Sequence, residues 1–230
     1  MKEKAMQGLR NFMRELVFGM EDGLVSNFGI VFAVYIATGS RSAVLLAGMA
    51  SMFAGALSMA AGSYLSSKSV KEVYQAEIAR AEKLVRSKPK KAGSEMRKFL
   101  KQEMFDKNEI DVMMRHFLKH NSKTFAINYI QKKMCLNPSA ANNPFHDATV
   151  MFLAFGIGSL FPIVPFFFGA NFSMMVVSAC LTIVTLFLVG VGKSAVSHRD
   201  WLRSGLEMVV VGMGAGLLGY LVGFVFGIVV

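Results

Sequence analysis

Charged residues are scarce in this chain, and their absence is concentrated in long segments. Only 17% of the 230 residues are Asp, Glu, Lys or Arg, against about 25% in a typical soluble domain. No charge occurs between Arg41 and Lys68, between Asp147 and Lys193, or after Glu207. Because a membrane-spanning helix needs roughly 20 apolar residues, these gaps exclude an ordinary soluble domain.

Cysteine is also rare, and no catalytic constellation is visible. The two cysteines, Cys135 and Cys180, provide neither a disulfide framework nor the paired spacing of a zinc knuckle. A phosphate-binding loop and a nucleophile elbow are missing as well. His116 and His120 lie four residues apart, a spacing that can bind metal, but the arginine and lysine beside them disfavour a cation. We therefore expect no enzyme activity and no bound cofactor.

The apolar segments predict an all-α membrane protein with five transmembrane helices. The 45 uncharged residues after Asp147 are long enough for two spans, with a turn near Gly169. The five predicted spans cover residues 12–37, 42–66, 148–168, 172–192 and 206–228. We expect three parts: residues 1–67 with spans one and two, a helical insert at 68–146, and residues 147–230 with spans three to five.

The insert is predicted to be a small, basic, helical domain. It has 17 Lys and Arg against 8 Asp and Glu, a surplus of nine positive charges. No helix breaker precedes Pro89, so span two is predicted to continue into the insert as one helix. Further helices are expected over Ser94–Phe105, with Ser94 as the N-cap, over Asn108–Lys119, and after Asn121 or Ser122. A domain of about 70 residues needs additional contacts for stability, which a dimer would supply.

The distribution of positive charge predicts the orientation in the membrane. Lys and Arg cluster before span one, in the insert and at 193–203, whereas the two other connections carry only Arg41. The positive-inside rule then places the N-terminus and the insert in the cytoplasm. The membrane would be a prokaryotic inner membrane or a eukaryotic organelle membrane. Membrane-proximal positive charge favours contact with lipid headgroups over nucleic acid.

Asp22 is the most informative residue, because it is a carboxylate inside an apolar segment of membrane length. Eighteen uncharged residues follow it, and only five lie between Glu15 and Glu21. Such residues usually face the interior of a helix bundle or a water-filled path. A carboxylate can bind either a divalent cation or a proton. Competition between the two at one site is the simplest basis for proton-coupled cation transport. The alternative is that Glu21 and Asp22 lie at the membrane interface and reach water.

Two further side chains are candidate ligands in the spans. Asn27 lies five residues after Asp22 and is a candidate for the same helix face. Met59 lies in the middle of span two, and its thioether suits softer transition metals. For a single methionine, gap filling in an apolar helix is the commoner role.

Regularly spaced glycines predict close helix packing in two spans. Small residues at such spacing let helices approach closely in lipid. In span five they would form a seam either within one subunit or between two. The glycines concerned are Gly48, Gly55 and Gly62 in span two and Gly212, Gly216, Gly219, Gly223 and Gly227 in span five.

The motifs DGLVSN at residues 22–27 and AGALSMAAG at residues 54–62 resemble those of the vacuolar iron transporter family. The resemblance extends over nearly the whole chain and includes FPIVP at residues 161–165. It implies five-span subunits that form a homodimer, with a pathway near the two-fold axis lined by Asp22 and Met59. It also implies export of ferrous iron, and often manganese, from the cytosol in exchange for protons.

The insert departs from the family's pattern, which is a glutamate-rich domain that collects metal. The corresponding positions here are Ala81, Leu84, Ala92, Glu95, Tyr129 and Lys133. Only Glu95 retains an acidic side chain, and a domain with nine surplus positive charges should repel divalent cations. We therefore expect that the insert has kept its fold and lost its metal-collecting site. Plant members place a glutamate in span two where this chain has Ser51, so the pathway is less acidic.

Three functions follow from these observations. The first is a homodimeric antiporter that exports Fe²⁺ or Mn²⁺ through Asp22 and Met59. The second is a non-transporting membrane scaffold or sensor whose basic domain binds an anionic partner. The third is transport of a different, anionic solute. Replacing Asp22 with Asn separates them, because only metal transport depends directly on that carboxylate.

Overall fold

The computed structural model describes residues 2–119, 125–130, 143–197 and 200–229. These residues are almost entirely helical, and no strand occurs among them. Five of the described helices are long and apolar enough to cross a membrane, which confirms the predicted fold class. The elements are α1 Lys2–Thr38, α2 Arg41–Ser87, α3 Pro89–Gln102, α4 Lys107–Lys119, α5 at residues 125–130, α6 Pro144–Ile163, a 3₁₀ turn Val164–Phe167, α7 Phe172–Ser197 and α8 Trp201–Val229.

The chain divides into two compact units. The membrane unit comprises Met1–Leu65 and Asn143–Val230, and the insert unit comprises Ser66–Asn142. Helix α2 contributes to both, since it is continuous over 47 residues, as the lack of a breaker before Pro89 predicts. The insert unit ends four residues before the predicted boundary because Asn143 already caps α6.

Short connections in the membrane unit carry their own helix signals. Gly39 follows α1 with φ of +59°, a conformation that glycine adopts without strain, and its amide donates to the Tyr35 carbonyl at 2.8 Å. The side chains of Asn143, Asn171 and Asp200 accept an amide hydrogen bond in the first turns of α6, α7 and α8 respectively. These caps satisfy amides that have no partner within the helix.

Arg41, the first residue of α2, contacts the end of the third span. Its guanidinium donates to the carbonyl of Phe166 at 3.2 Å and also to that of Phe167. These carbonyls end the 3₁₀ turn, where no following amide reaches them. Arg41 therefore ties the start of α2 to the end of the third span.

Glycines bring the helices of the membrane unit into backbone contact. A Cβ added to Gly158 on α6 would lie 2.5 Å from the carbonyl oxygen of Met20 on α1, and one on Gly23 would collide with the carbonyl of Phe155. Added Cβ atoms on Gly219 and Gly223 of α8 would likewise collide with the backbone of α1. The seam predicted for span five therefore lies within one subunit, at least over these two glycines.

In span two, two of the three glycines pack against side chains of other helices, but among the described residues α2 does not make the close backbone approach that the glycine spacing predicts. Gly48 packs against Ile163 of α6, and Gly55 packs against the ring of Phe155. A Cβ added to Gly62 would meet no atom within 4 Å among the described residues. The glycine contacts of this span therefore lie between its middle and the end that carries Arg41.

The insert unit is held together by an apolar cluster. Its buried members are Tyr74, Ala81, Ala92, Met96, Leu100, Ile110, Met114, Phe125, Ala126, Tyr129 and Ile130. They come from α2, α3, α4 and α5, so each helix contributes one apolar face. Polar and charged side chains lie outside this cluster, as in a water-soluble helical domain.

The predicted start of α3 at Ser94 is wrong. The helix begins at Pro89, because proline at the first helical position lacks only an amide that would have no helical partner. The Ser94 hydroxyl instead donates to the Lys91 carbonyl inside the helix at 2.9 Å. Helix α4 begins as predicted within one residue, and Asp106 and Glu109 cap it reciprocally. The predicted caps Asn121 and Ser122 lie outside the described residues.

Candidate functional site

Asp22 lies in the middle of α1 and is half-buried. It is the fifteenth residue of the candidate span Gly8–Thr38. The Ser26 hydroxyl donates to the main-chain carbonyl of Asp22, which leaves the carboxylate to other partners. Within the described part of the chain, no hydrogen bond or ion pair engages that carboxylate.

Asn27 does not share the face of Asp22. Five residues correspond to about 140° around a helix, and the structure places Asn27 against α6. Its side chain is fully buried, and its amide donates to the Ser159 hydroxyl at 2.8 Å. Ser159 in turn donates to the Phe155 carbonyl at 2.8 Å. The Asn27 carbonyl oxygen has no partner among the described residues, so its role as a ligand stays a prediction.

Glu15 is a buried carboxylate to which the sequence assigned no function. Its side chain accepts a hydrogen bond from the Ser63 hydroxyl of α2 at 2.9 Å and pairs with Arg14 at 2.6 Å. Glu15 lies seven residues before Asp22, so both carboxylates lie on one face of α1, about 10 Å apart along the axis. The spacing of seven residues is the sequence signal that would have identified it.

The contact between Glu15 and Ser63 sets the register of α1 and α2. The two helices run antiparallel, because Gly48 at the other end of α2 lies beside Val31 of α1. Met59 precedes Ser63 by one turn and therefore lies about 6 Å along the axis from it, toward the level of Asp22. This register brings Asp22 and Met59 to within about one helical turn of each other in depth.

Asp147 is a second buried carboxylate that the sequence did not single out. It lies in the first turn of α6 and is 2% exposed, with the Nδ1 atom of His146 at 3.7 Å. A negative charge is favourable at a helix N-terminus. The sequence feature that could have indicated its burial is its position directly before the long uncharged segment.

Within the described residues, no three His, Cys, Asp or Glu side chains come together. A cation at Asp22 would therefore need ligands of other kinds, such as thioether sulfur, main-chain carbonyls, hydroxyls or water. Softer thioether and harder oxygen ligands together suit a first-row transition metal better than Mg²⁺ or Ca²⁺.

In the insert unit, most of the described positions that the resemblance pairs with the family's metal ligands lie in the apolar cluster. Ala81, Ala92 and Tyr129 are buried there, and Leu84 packs against them. Glu95 lies at the edge of the cluster and accepts a hydrogen bond from the Tyr129 hydroxyl. Lys133 lies outside the described residues.

The tyrosine of this pair is held in its neutral form. Burial, followed by the hydrogen bond and the charge of Glu95, raises the pKa of Tyr129 above its usual value. The Lys91 ammonium also lies 4.0 Å from the Glu95 carboxylate. The one retained acidic group is therefore already shared between a hydroxyl and a cation.

Comparison with known proteins identifies relatives over most of the chain. "Vacuolar iron transporter 1" of Arabidopsis thaliana is 26% identical over 201 residues, which cover 87% of this chain and 80% of the relative. "Vacuolar iron transporter" of Plasmodium falciparum is 25% identical over 227 residues, covering 93% and 81%. The Toxoplasma gondii protein of the same name is 28% identical over 240 residues, covering 100% and 79%. The family model described as the VIT family matches residues 13–224, and the chain therefore belongs to the VIT family.

Proposed function

We propose that this protein moves ferrous iron across a membrane, with Asp22 and Met59 as ligands along the pathway. Membership of the VIT family and the names of its relatives support iron as the substrate. The observation that carries the proposal is the register of α1 and α2. This register supports the proposal because it gives the Asp22 carboxylate and the Met59 thioether similar depths in spans that carry few other charges.

The chemistry of these two groups fits Fe²⁺ and also admits Mn²⁺. The Asp22 carboxylate is a hard anionic ligand and the Met59 thioether is a soft neutral one. Because one chain supplies only these two side-chain ligands, main-chain carbonyls and water complete the coordination of the metal. The iron is the transported substrate, and the proposal requires no resident cofactor.

Proton exchange follows from the same carboxylate. Asp22 cannot hold a proton and a divalent cation with full affinity at once, so protonation from the far side would release the metal. Alternating exposure of Asp22 to the two sides would then couple metal export to proton return. In this proposal the cytosol lies at the end of α1 that carries Glu15, an orientation that the basic N-terminus and insert support.

We propose further that the working protein is a homodimer with its pathway near the two-fold axis. A second copy would supply another Asp22 and Met59, which doubles the ligands available to one metal. Chemical crosslinking in the membrane tests this part separately.

The insert would take no part in metal capture. Its family-equivalent positions are filled by a core of alanine, leucine and tyrosine side chains, and Glu95 is engaged with Tyr129. Its surplus of nine positive charges adds a repulsive field. Metal would therefore reach the pathway directly from solution.

The test is uptake of Fe²⁺ and of Mn²⁺ into proteoliposomes with an acidic interior. The native chain is compared with Asp22→Asn, Met59→Ala and the matched control Asp111→Asn, which removes an exposed carboxylate of the insert. We expect no uptake by Asp22→Asn, reduced uptake by Met59→Ala and native uptake by the control. Equal uptake by Asp22→Asn and native protein, both folded and dimeric, would refute the pathway.

A second candidate function is a scaffold or sensor whose insert binds an anionic partner. The replacement of acidic ligands by an apolar core in a basic unit favours it. If the native chain moves neither metal under any gradient while remaining folded, this candidate replaces the first. Asp22→Asn would then leave partner binding unchanged.

A further inference from the structure

A groove between α1 and α7 combines positive charge with apolar surface. Its volume is about 410 Å³. The α1 residues that line it are alternately three residues and one residue apart in the sequence, a spacing that puts them on one face of the helix. We call it the α1–α7 groove, and its lining residues are Arg10, Met13, Arg14, Val17, Phe18, Glu21 and Lys193.

The charges of the α1–α7 groove are not balanced. Three cationic side chains line it against one carboxylate. Arg14 is paired with Glu15 outside the groove, and Lys193 acts electrostatically on Glu21. Arg10 is exposed, and no carboxylate of the described residues lies within 4.0 Å of its guanidinium. A positive surplus therefore remains for an anionic ligand.

The groove lies at the depth of lipid headgroups. Arg10 lies two residues before the predicted first span, which begins at residue 12, and Lys193 directly follows the 45 uncharged residues that contain the predicted third and fourth spans. Its cations therefore stand where the first and fourth spans reach the membrane surface. Val17 and Phe18 lie two turns deeper than Arg10, and the Phe18 side chain is 54% exposed. This arrangement offers cations at the surface and apolar contact toward the hydrocarbon.

We propose that the α1–α7 groove binds an anionic glycerophospholipid. Arg10 and Lys193 hold the phosphate through charge-assisted hydrogen bonds, and one acyl chain packs along Val17 and Phe18. A free phosphate has the same headgroup chemistry but would leave the apolar half of the groove unused. The amphiphilic lining therefore favours the lipid. This site is independent of the metal pathway, because none of its lining residues is a proposed metal ligand.

The test is native mass spectrometry of the full chain in detergent, titrated with phosphatidylglycerol or with phosphatidylcholine of the same acyl chains. We expect preferential binding of phosphatidylglycerol. Each cation near a membrane surface contributes about 1 kcal/mol, so Arg10→Gln with Lys193→Gln should weaken phosphatidylglycerol binding roughly 25-fold. Lys98→Gln removes an exposed charge of the insert and should bind as the native chain does. Equal affinity of the double variant and the native chain would overturn the proposal.

Two further arms separate the lipid from a soluble phosphate and from misfolding. Phe18→Ser keeps every cation of the groove and should weaken phosphatidylglycerol binding several-fold, so sodium phosphate should displace the lipid from the variant at a several-fold lower concentration than from the native chain. If sodium phosphate or glycerol 3-phosphate displaces the lipid equally well from both chains, the acyl contact is absent and the lipid assignment is wrong. If the double variant loses its helical circular dichroism signal, Phe18→Ser decides alone: unchanged lipid affinity overturns the proposal.

Discussion

The membrane unit and the insert unit are both helical, but they hold their helices together by opposite means. In the membrane unit, helices touch where glycine removes the side chain, as at Gly158 against Met20, and buried polar groups such as Asn27 bond across the contact. In the insert unit, large apolar side chains such as Leu100 fill the space between helices. Lipid removes the hydrophobic drive between spans, so close approach and hydrogen bonding replace it.

The largest expected effect is in the insert core, where Leu100 is completely buried. Leu100→Ala should destabilise the insert unit by about 2–5 kcal/mol, since it loses transfer free energy and leaves a cavity. The measurement is limited proteolysis, with cleavage sites mapped by mass spectrometry, on protein in detergent. Cleavage should accelerate within the insert unit and not within the spans. Lys98→Ala, on the exposed side of the same helix, is the control, and equal cleavage of the two variants would contradict the apolar-core account.

The next effect tests the glycine contacts, using two glycines of α6 that differ only in surroundings. Gly158→Ala places a Cβ 2.5 Å from the Met20 carbonyl oxygen, whereas Gly156 has nothing within 4 Å of an added Cβ. Overpacking against backbone should cost about 1–3 kcal/mol, whereas alanine at 156 should add up to about 1 kcal/mol of helix propensity. Thermal unfolding in one detergent should therefore give midpoints on opposite sides of the native value. Two equal midpoints would show that α1 and α6 can separate freely.

These contrasts explain how much the sequence could predict. The five spans can be predicted because the uncharged segments are long enough to cross a membrane. The close packing of Gly219 can be predicted from the spacing of the glycines. The start of α3 was predicted wrongly because Pro89 suggests the end of one helix, although proline also begins helices. Residue spacing gives the relative directions of Glu15, Asp22 and Asn27 around α1. It does not identify their partners, Ser63 for Glu15 and Ser159 for Asn27, because those residues lie on helices distant in sequence.

A smaller effect concerns the hydrogen bond between Tyr129 and Glu95. Because the pKa of Tyr129 is raised, the folded insert binds a proton that the unfolded chain loses above about pH 10. The contribution of Tyr129 to stability is therefore present below about pH 10 and is lost as the pH rises beyond it. Tyr129→Phe should cost about 1 kcal/mol at neutral pH and should weaken this pH dependence.

The measurement is tyrosinate absorbance in the near ultraviolet during an alkaline titration in detergent. The chain has five tyrosines, and the variant should lose part of the absorbance that appears last. Glu95→Gln is the partner control, because it removes the charge while keeping a hydrogen-bond acceptor. It should move the Tyr129 titration to lower pH. An unchanged late phase in Tyr129→Phe would show that another tyrosine is responsible.

The smallest expected effect is that of Glu95→Gln on Fe²⁺ uptake, and it tests directly whether the insert unit contributes to metal transport by the membrane unit. Asp22 and Glu95 are the acidic residues that the resemblance to the family singles out, one in each unit. If metal reaches the pathway without capture by the insert, Glu95→Gln should leave Fe²⁺ uptake within about a factor of two of native, a change below about 0.5 kcal/mol, while Asp22→Asn abolishes it. Initial rates should be compared at subsaturating Fe²⁺, where a collecting site would matter most. A large loss of uptake by Glu95→Gln at low Fe²⁺, recovered at high Fe²⁺, would mean that the insert still gathers metal despite its apolar core and positive charge.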